Sequence, residues 1–114
     1  MSNGSVYYVG CIDPRMKTGN HNAIRSVGGN GNCYMHLRAG GAGTIGALST
    51  IRSEAKLAQA TTIILTVHVD CKKCPDSGAK IRNLRINLAL ARKWFKDKRV
   101  VGMIIGLDGQ FSRV

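Results

Sequence analysis

Two short stretches carry residue types that do chemistry together: Cys11, Asp13 and Arg15 in CIDPR, and His68 and Cys71 in HVDC. Thiolates and imidazole are the donors of a transition-metal site, and thiolates select zinc over magnesium or calcium. Two Cys and one His leave the fourth tetrahedral position to water, as in a catalytic zinc site rather than a closed structural one. In Cys11-x-Asp13-x-Arg15 the alternation of an extended segment would turn all three side chains towards one pocket. Arg15 would then hold Asp13 ionised through a charge-assisted, two-pronged hydrogen bond, and Asp13 would accept a proton from metal-bound water or orient it. A single strand cysteine is ordinarily core packing. The signal comes from its union with an acid, a base and a second ligand pair.

Such a site needs two neighbouring strand ends. Val6–Ile12 (VYYVGCI), Thr62–Val69 (TIILTVHV) and Val100–Leu107 (VVGMIIGL) are apolar, β-rich runs without alternation, as in strands covered on both faces. Cys33–Leu37 is a shorter candidate. Apolar residues at Ile45, Leu48, Ile51, Ala55 and Ala58 mark a helix over Thr44–Ala58. Ile81, Leu84, Leu88, Ala91 and Phe95 mark another over Ala79–Lys96. The expected fold is therefore one α/β domain over residues 1–114, with a central, mostly parallel four-stranded sheet flanked by helices. The turn signal Asp108-Gly109 would return a short antiparallel edge strand over Gln110–Val114. Residues 17–43, rich in Gly and Asn, read as the longest irregular region. Parallel sheets bind ligands beyond the carboxyl ends of their strands, where Cys11 and His68 fall.

The bulk properties agree with a single domain. A 44% hydrophobic content in 114 residues supplies a core, built from Ile, Leu, Val and Ala because aromatics make up only 5%. No run approaches the roughly 20 apolar residues of a membrane helix, and MSNGSVYYVG has no basic-then-apolar leader, so the expected place is the cytoplasm. There Cys11, Cys33, Cys71 and Cys74 are read as thiol or metal chemistry rather than disulfides. The net charge of +11 raises affinity for polyanions. Lys80, Arg82, Arg85, Arg92, Lys93, Lys96, Lys98 and Arg99 form either a nucleic-acid- or ribosome-binding stripe or a solvated face.

The two zinc motifs resemble those of the β-class carbonic anhydrases. Arg38-Ala39-Gly40-Gly41 resembles that family's Arg-Asn-Ala-Gly-Gly element, and Gly102–Gly109 looks like its last strand and turn. The resemblance implies zinc held by Cys11, His68 and Cys71, an orienting dyad of Asp13 and Arg15, and Gly40 and Gly41 near the substrate oxygens. It implies reversible hydration of carbon dioxide to bicarbonate by zinc-bound hydroxide, in a homodimer or higher homo-oligomer with the site at a subunit interface. Carbonyl sulfide and carbon disulfide are alternative linear substrates. A basic nucleic-acid- or ribosome-binding subunit with structural zinc is the alternative of another class. The chain departs from the family in Pro14 for serine, in the asparagine missing before Ala39, in Lys72 for glycine, and in lacking an N-terminal helical arm.

Other readings are weaker. Cys71-x-x-Cys74 is also a dithiol or half a structural zinc site, but it does not open a helix directly after an early strand as a thioredoxin-type motif does. His21 and His36 are proton-shuttle candidates against the commoner reading of satisfied imidazoles. The glycines at 28, 29 and 31 precede no Lys-Ser/Thr, so they make a poor phosphate loop.

Overall fold

The computed structural model describes residues 5–11, 13–27, 33–38, 41–43, 52–53, 60–68, 77–106 and 109–114. Strands β1 (Ser5–Cys11), β2 (Cys33–Arg38), β3 (Ala60–His68), β4 (Arg99–Ile105) and β5 (Phe111–Arg113) form one sheet in the order β2-β1-β3-β4-β5. The first four strands are parallel, and β5 returns antiparallel to β4. The expected strands and the edge strand are present, each shifted by a residue or two. Of the helix expected over 44–58, only residues 52 and 53 are described, and both are helical; the rest lies outside the described residues.

From β1 the chain winds outward to β2, then returns past β1 and winds the other way through β3 and β4. Right-handed crossovers in opposite directions put their helices on opposite faces. Accordingly α1 (Lys17–Ser26) and α2 (Ser77–Trp94) cover different sides. Leu84 and Leu88 of α2, with Phe95, pack on Tyr7, Val9, Ile63, Leu65 and Val67; on the α1 side lie Val6, Tyr8, Met16, Ala23, Ile64, Met103 and Ile105. β3 lies at the centre, with residues 63–68 all buried, and each large apolar side chain there contributes about 1.5–3 kcal/mol.

The helix α1 corrects the reading of residues 17–43 as irregular. Its sequence KTGNHNAIRS has no apolar stripe, because it meets the sheet through Gly19, Asn20 and Ala23. A Cβ on Gly19 would collide with the Ile105 side chain, so the glycine lets this polar helix lie close. An interface of small residues leaves no hydrophobic period to detect.

The loop 41–43 closes over the carboxyl ends of β1 and β3 and is held at every turn. Gly41 N–H donates to Arg38 O at 3.0 Å and Ala42 N–H to Thr66 O at 2.8 Å. From α2, Asn87 Nδ2 donates to Ala42 O at 2.7 Å and Asn83 Nδ2 to Gly43 O at 2.9 Å. Gly41 has φ +57°, and a Cβ there would stand 2.5 Å from Thr66 O. The left-handed conformation alone costs a non-glycine residue about 1–2 kcal/mol, and a backbone carbonyl cannot step aside. Gly41→Ala is therefore expected to destabilise by about 2 kcal/mol or more. Gly109→Ala, at φ +84° with 3.3 Å to the movable Thr18 side chain, should cost less. Denaturant unfolding of both variants tests the ranking; equal losses would contradict it.

Candidate metal centre and its cleft

β1 and β3 are hydrogen-bonded neighbours with Val9 opposite Leu65, so their carboxyl ends bring Cys11 and His68 together. His68 Nε2 lies 3.0 Å from Cys11 Sγ, and both residues are buried. A soft sulfur and an imidazole nitrogen converging from two strands suit zinc. A tetrahedral zinc would hold such atoms about 3.6 Å apart, so loading asks them to part by a fraction of an ångström. Among the described residues no third ligand joins them. Cys71, expected as that ligand, and Gly40 lie outside the described residues.

Asp13 and Arg15 pair as expected, but for a different local reason. The strand ends at Cys11, and Pro14–Met16 form a 3-10 turn, so extended alternation does not align the three residues. The Asp13 carboxylate instead caps the turn, accepting the Arg15 backbone N–H on Oδ1 at 3.0 Å. The guanidinium then folds back: Nε donates to both carboxylate oxygens at 3.1 and 3.0 Å, and Nη2 donates to Oδ2 at 2.6 Å. These bonds hold the Asp13 carboxyl well below the usual carboxylate range. Asp13 faces the cleft; among the residues lining it Arg15 is absent.

That cleft, of about 290 Å³, is lined by Cys11, Asp13, Lys17, Asn20, His21, Met35 and Leu37. It lies between the carboxyl end of β1, helix α1 and strand β2. His21, a shuttle candidate, shares this cleft with Cys11; among the residues lining it His36 and His68 are absent. Gly41, expected near the substrate oxygens, shapes the loop above, and its N–H is engaged by Arg38 O.

Residues that sequence reasoning passed over hold this frame. Lys80 is buried and donates from Nζ to His68 O at 2.7 Å. With Asn83 and Asn87 it forms a polar row at i, i+3 and i+7 beside the apolar stripe of α2; that spacing was the available signal. Lys80 therefore leaves the basic stripe. Lys98 donates to Ala60 O and Arg92 to Val100 O, while Arg82, Arg85, Lys93, Lys96 and Arg99 are exposed. Nothing in this distribution marks out a nucleic-acid groove among the described residues. No helix among them is long and apolar enough to cross a membrane.

No family model matches the sequence, and no curated protein matches it. Solved structures do. A carbonic anhydrase from Streptococcus mutans superposes with a TM-score of 0.67 at 18% identity, covering 96% of this chain and 80% of that one. The apo form of a carbon disulfide hydrolase gives 0.67 at 14%, covering 94% and 76%. One of two tetrameric β-carbonic anhydrases from Sordaria macrospora gives 0.55 at 12%, covering 100% and 82%. The chain has a β-carbonic-anhydrase-like fold.

The Asp13–Arg15 pair makes a pH prediction. A depressed carboxyl contributes stability above the ordinary carboxylate range and loses it as pH falls through the lowered value. Carbon-13 titration of the Asp13 carboxyl should show it ionised through the range where free Asp protonates. Arg15→Leu should restore a midpoint of about 3.9. An ordinary midpoint in the wild type would exclude the pairing in solution.

Proposed function

We propose that the chain is a zinc enzyme that hydrates carbon dioxide reversibly to bicarbonate, with Cys11, His68 and Cys71 as the metal ligands. The observation that carries this reading is the 3.0 Å approach of Cys11 Sγ and His68 Nε2 beside a carboxylate already locked by arginine. Zinc, when bound there, supplies the Lewis acidity that makes water nucleophilic near neutral pH. The protein's own residues do the rest.

Asp13 stays ionised and presents a fixed acceptor to the attacking water's hydrogen, which aims the oxygen lone pair at carbon. Arg15 keeps that carboxylate in place from outside the cleft. Met35 and Leu37 give the cleft an apolar wall, suited to an uncharged linear molecule. Gly41 allows the loop to pass close to Thr66 O and Cys11 N at the strand ends. The same wall and nucleophile suit carbonyl sulfide or carbon disulfide, and likeness in fold to a carbon disulfide hydrolase keeps those substrates in view.

The reading includes a homodimer. β2 is the sheet's edge and exposes Tyr34, Met35 and Leu37 at 45%, 41% and 40%. Met35 and Leu37 also line the cleft, so a second copy across this edge would complete the cleft's outer wall. Sedimentation should give at least two chains per particle, and Tyr34→Glu should shift it towards monomer; a monomeric wild type would remove the dimer.

Purified protein should hold about one zinc per chain, and Cys11→Ser should lose it. Asp13→Asn should keep zinc while carbon dioxide hydration falls about 10- to 100-fold, the usual scale for losing a group that orients a metal site. Stopped-flow hydration and zinc analysis at alkaline pH test both. Zinc-loaded wild type that is inert there would end the enzyme reading.

A further inference from the structure

Asn20 enters the cleft wall from α1 with 3% of its surface exposed, and its amide is held in one orientation. Buried Tyr8 donates its O–H to Asn20 Oδ1 at 2.5 Å. That separation belongs to O–H···O bonds; N–H···O bonds run about 2.7–3.2 Å, so the oxygen of the amide is the atom facing Tyr8. Thr66 Oγ1 gives its hydrogen to Val9 O at 2.8 Å and lies 3.4 Å from Tyr8 Oη, which leaves the tyrosine hydrogen for Asn20. Burial also pushes the Tyr8 phenol far above its ordinary pKa, so it stays a donor throughout the working range.

The fold makes room for this arrangement. A Cβ on Gly10 would stand 2.5 Å from Tyr8 Cε1 and 3.0 Å from Asn20 Oδ1, and Gly19 seats the helix against Ile105. Asn20 Nδ2 then carries two N–H groups on the side away from Tyr8, with no hydrogen bond among the described residues. The Nδ2 atom is not sealed from solvent, so its N–H groups remain open to an acceptor in the cleft that Asn20 lines. Its neighbours in the cleft are Cys11, Asp13, Lys17 and His21. Asp13 already accepts from Arg15, and the Gly41 N–H is engaged elsewhere.

We propose that Asn20 is the substrate-oxygen donor of this cleft, its Nδ2 binding an oxygen of bicarbonate, and that Tyr8 is the positioning residue that holds the amide in that sense. The proposal rests on the carbon dioxide–bicarbonate reading and adds the group that recognises the anion. A neutral donor serves here because it binds the anion without holding it as a buried cation would. It is equally available at every pH at which the protein folds.

The test titrates bicarbonate into the zinc-loaded full chain, following side-chain amide signals by nitrogen-15 NMR, with zinc content and carbon dioxide hydration measured alongside. The Asn20 amide pair, identified by its absence in Asn20→Asp, should shift on saturation. Asn20→Asp keeps the acceptor for Tyr8 but removes both donors; Asn20→Leu removes them without adding charge. Each should weaken bicarbonate binding about 10- to 100-fold, the range for a hydrogen bond to a charged group, with zinc retained. Tyr8→Phe should weaken it less and leave zinc unchanged, and no effect would remove its positioning role. Unchanged affinity in both Asn20 variants, loss of zinc in place of bicarbonate affinity, or a wild type that binds no bicarbonate would each overturn the proposal. Asn20-dependent binding in a protein that does not hydrate carbon dioxide would sustain it and refute catalysis instead.

Discussion

Cys11 and His68 are 57 residues apart in sequence, and they meet because the chain reverses its winding between β1 and β3. In a parallel sheet every crossover helix leaves from a strand's carboxyl end, so one direction of winding would carry α1 and the next helix across the same face. Reversal sends them to opposite faces and opens a crevice at the boundary, the place where such sheets bind ligands. The cleft, the Asp13 turn, the entry of Asn20 and the covering loop 41–43 all depend on that boundary lying between strands that end in a thiol and an imidazole.

The boundary is also where a parallel sheet has carbonyls to satisfy. Past the last rung of the ladder, the strand ends point C=O groups at no strand partner, and a buried carbonyl needs a donor from elsewhere. Thr66 O takes the Ala42 N–H, and His68 O takes the Lys80 ammonium. The first bond draws the loop down until only glycine fits at position 41. The second places a buried cation against the backbone of a proposed ligand, with no salt bridge to a carboxylate among the described residues. Thiolate ligands at Cys11 and Cys71 would bring negative charge to this end of the sheet. A lysine there is better tolerated than in an apolar core, since an unpaired buried charge is otherwise costly.

The sheet and its two chemical stretches were legible in sequence because their signals are local. Unbroken β-branched runs mark buried parallel strands, and Cys11, Asp13, Arg15 and His68 sit within a few residues of the ends of those runs. The Asp13–Arg15 pair was legible as a pair but not as a turn: proline at position 14 favours both an extended and a helical neighbour, and only the structure chooses. α1 was not legible, since Gly19, Asn20 and Ala23 form its buried face and none contributes to a hydrophobic period. Asn20 and Lys80 were hidden for the same physical reason. Each is a polar residue on an element otherwise read by its apolar pattern, and each acquires meaning from a group across the fold, Tyr8 for one and His68 O for the other.

The charge of +11 takes on a narrower meaning once the cations are placed. Lys80, Arg92 and Lys98 terminate or brace backbone at the ends of strands, and Arg15 is neutralised by Asp13. On α1, Lys17, His21 and Arg25 recur at intervals of four and line a second hollow of about 390 Å³ that shares Lys17 and His21 with the cleft. Residues four apart lie on one helix face, so this row runs from the cleft outward. A hydration reaction releases an anion, and a positive mouth raises the local concentration of that anion while costing an uncharged substrate nothing. Such a field is of little use inside the cleft, where a fixed cation would hold the product. It is useful at the rim, where salt screens it beyond about 8–10 Å. On the proposed reading, a neutral amide in the wall with the Lys17 and Arg25 cations at the rim suits a site that recognises bicarbonate and also lets it go.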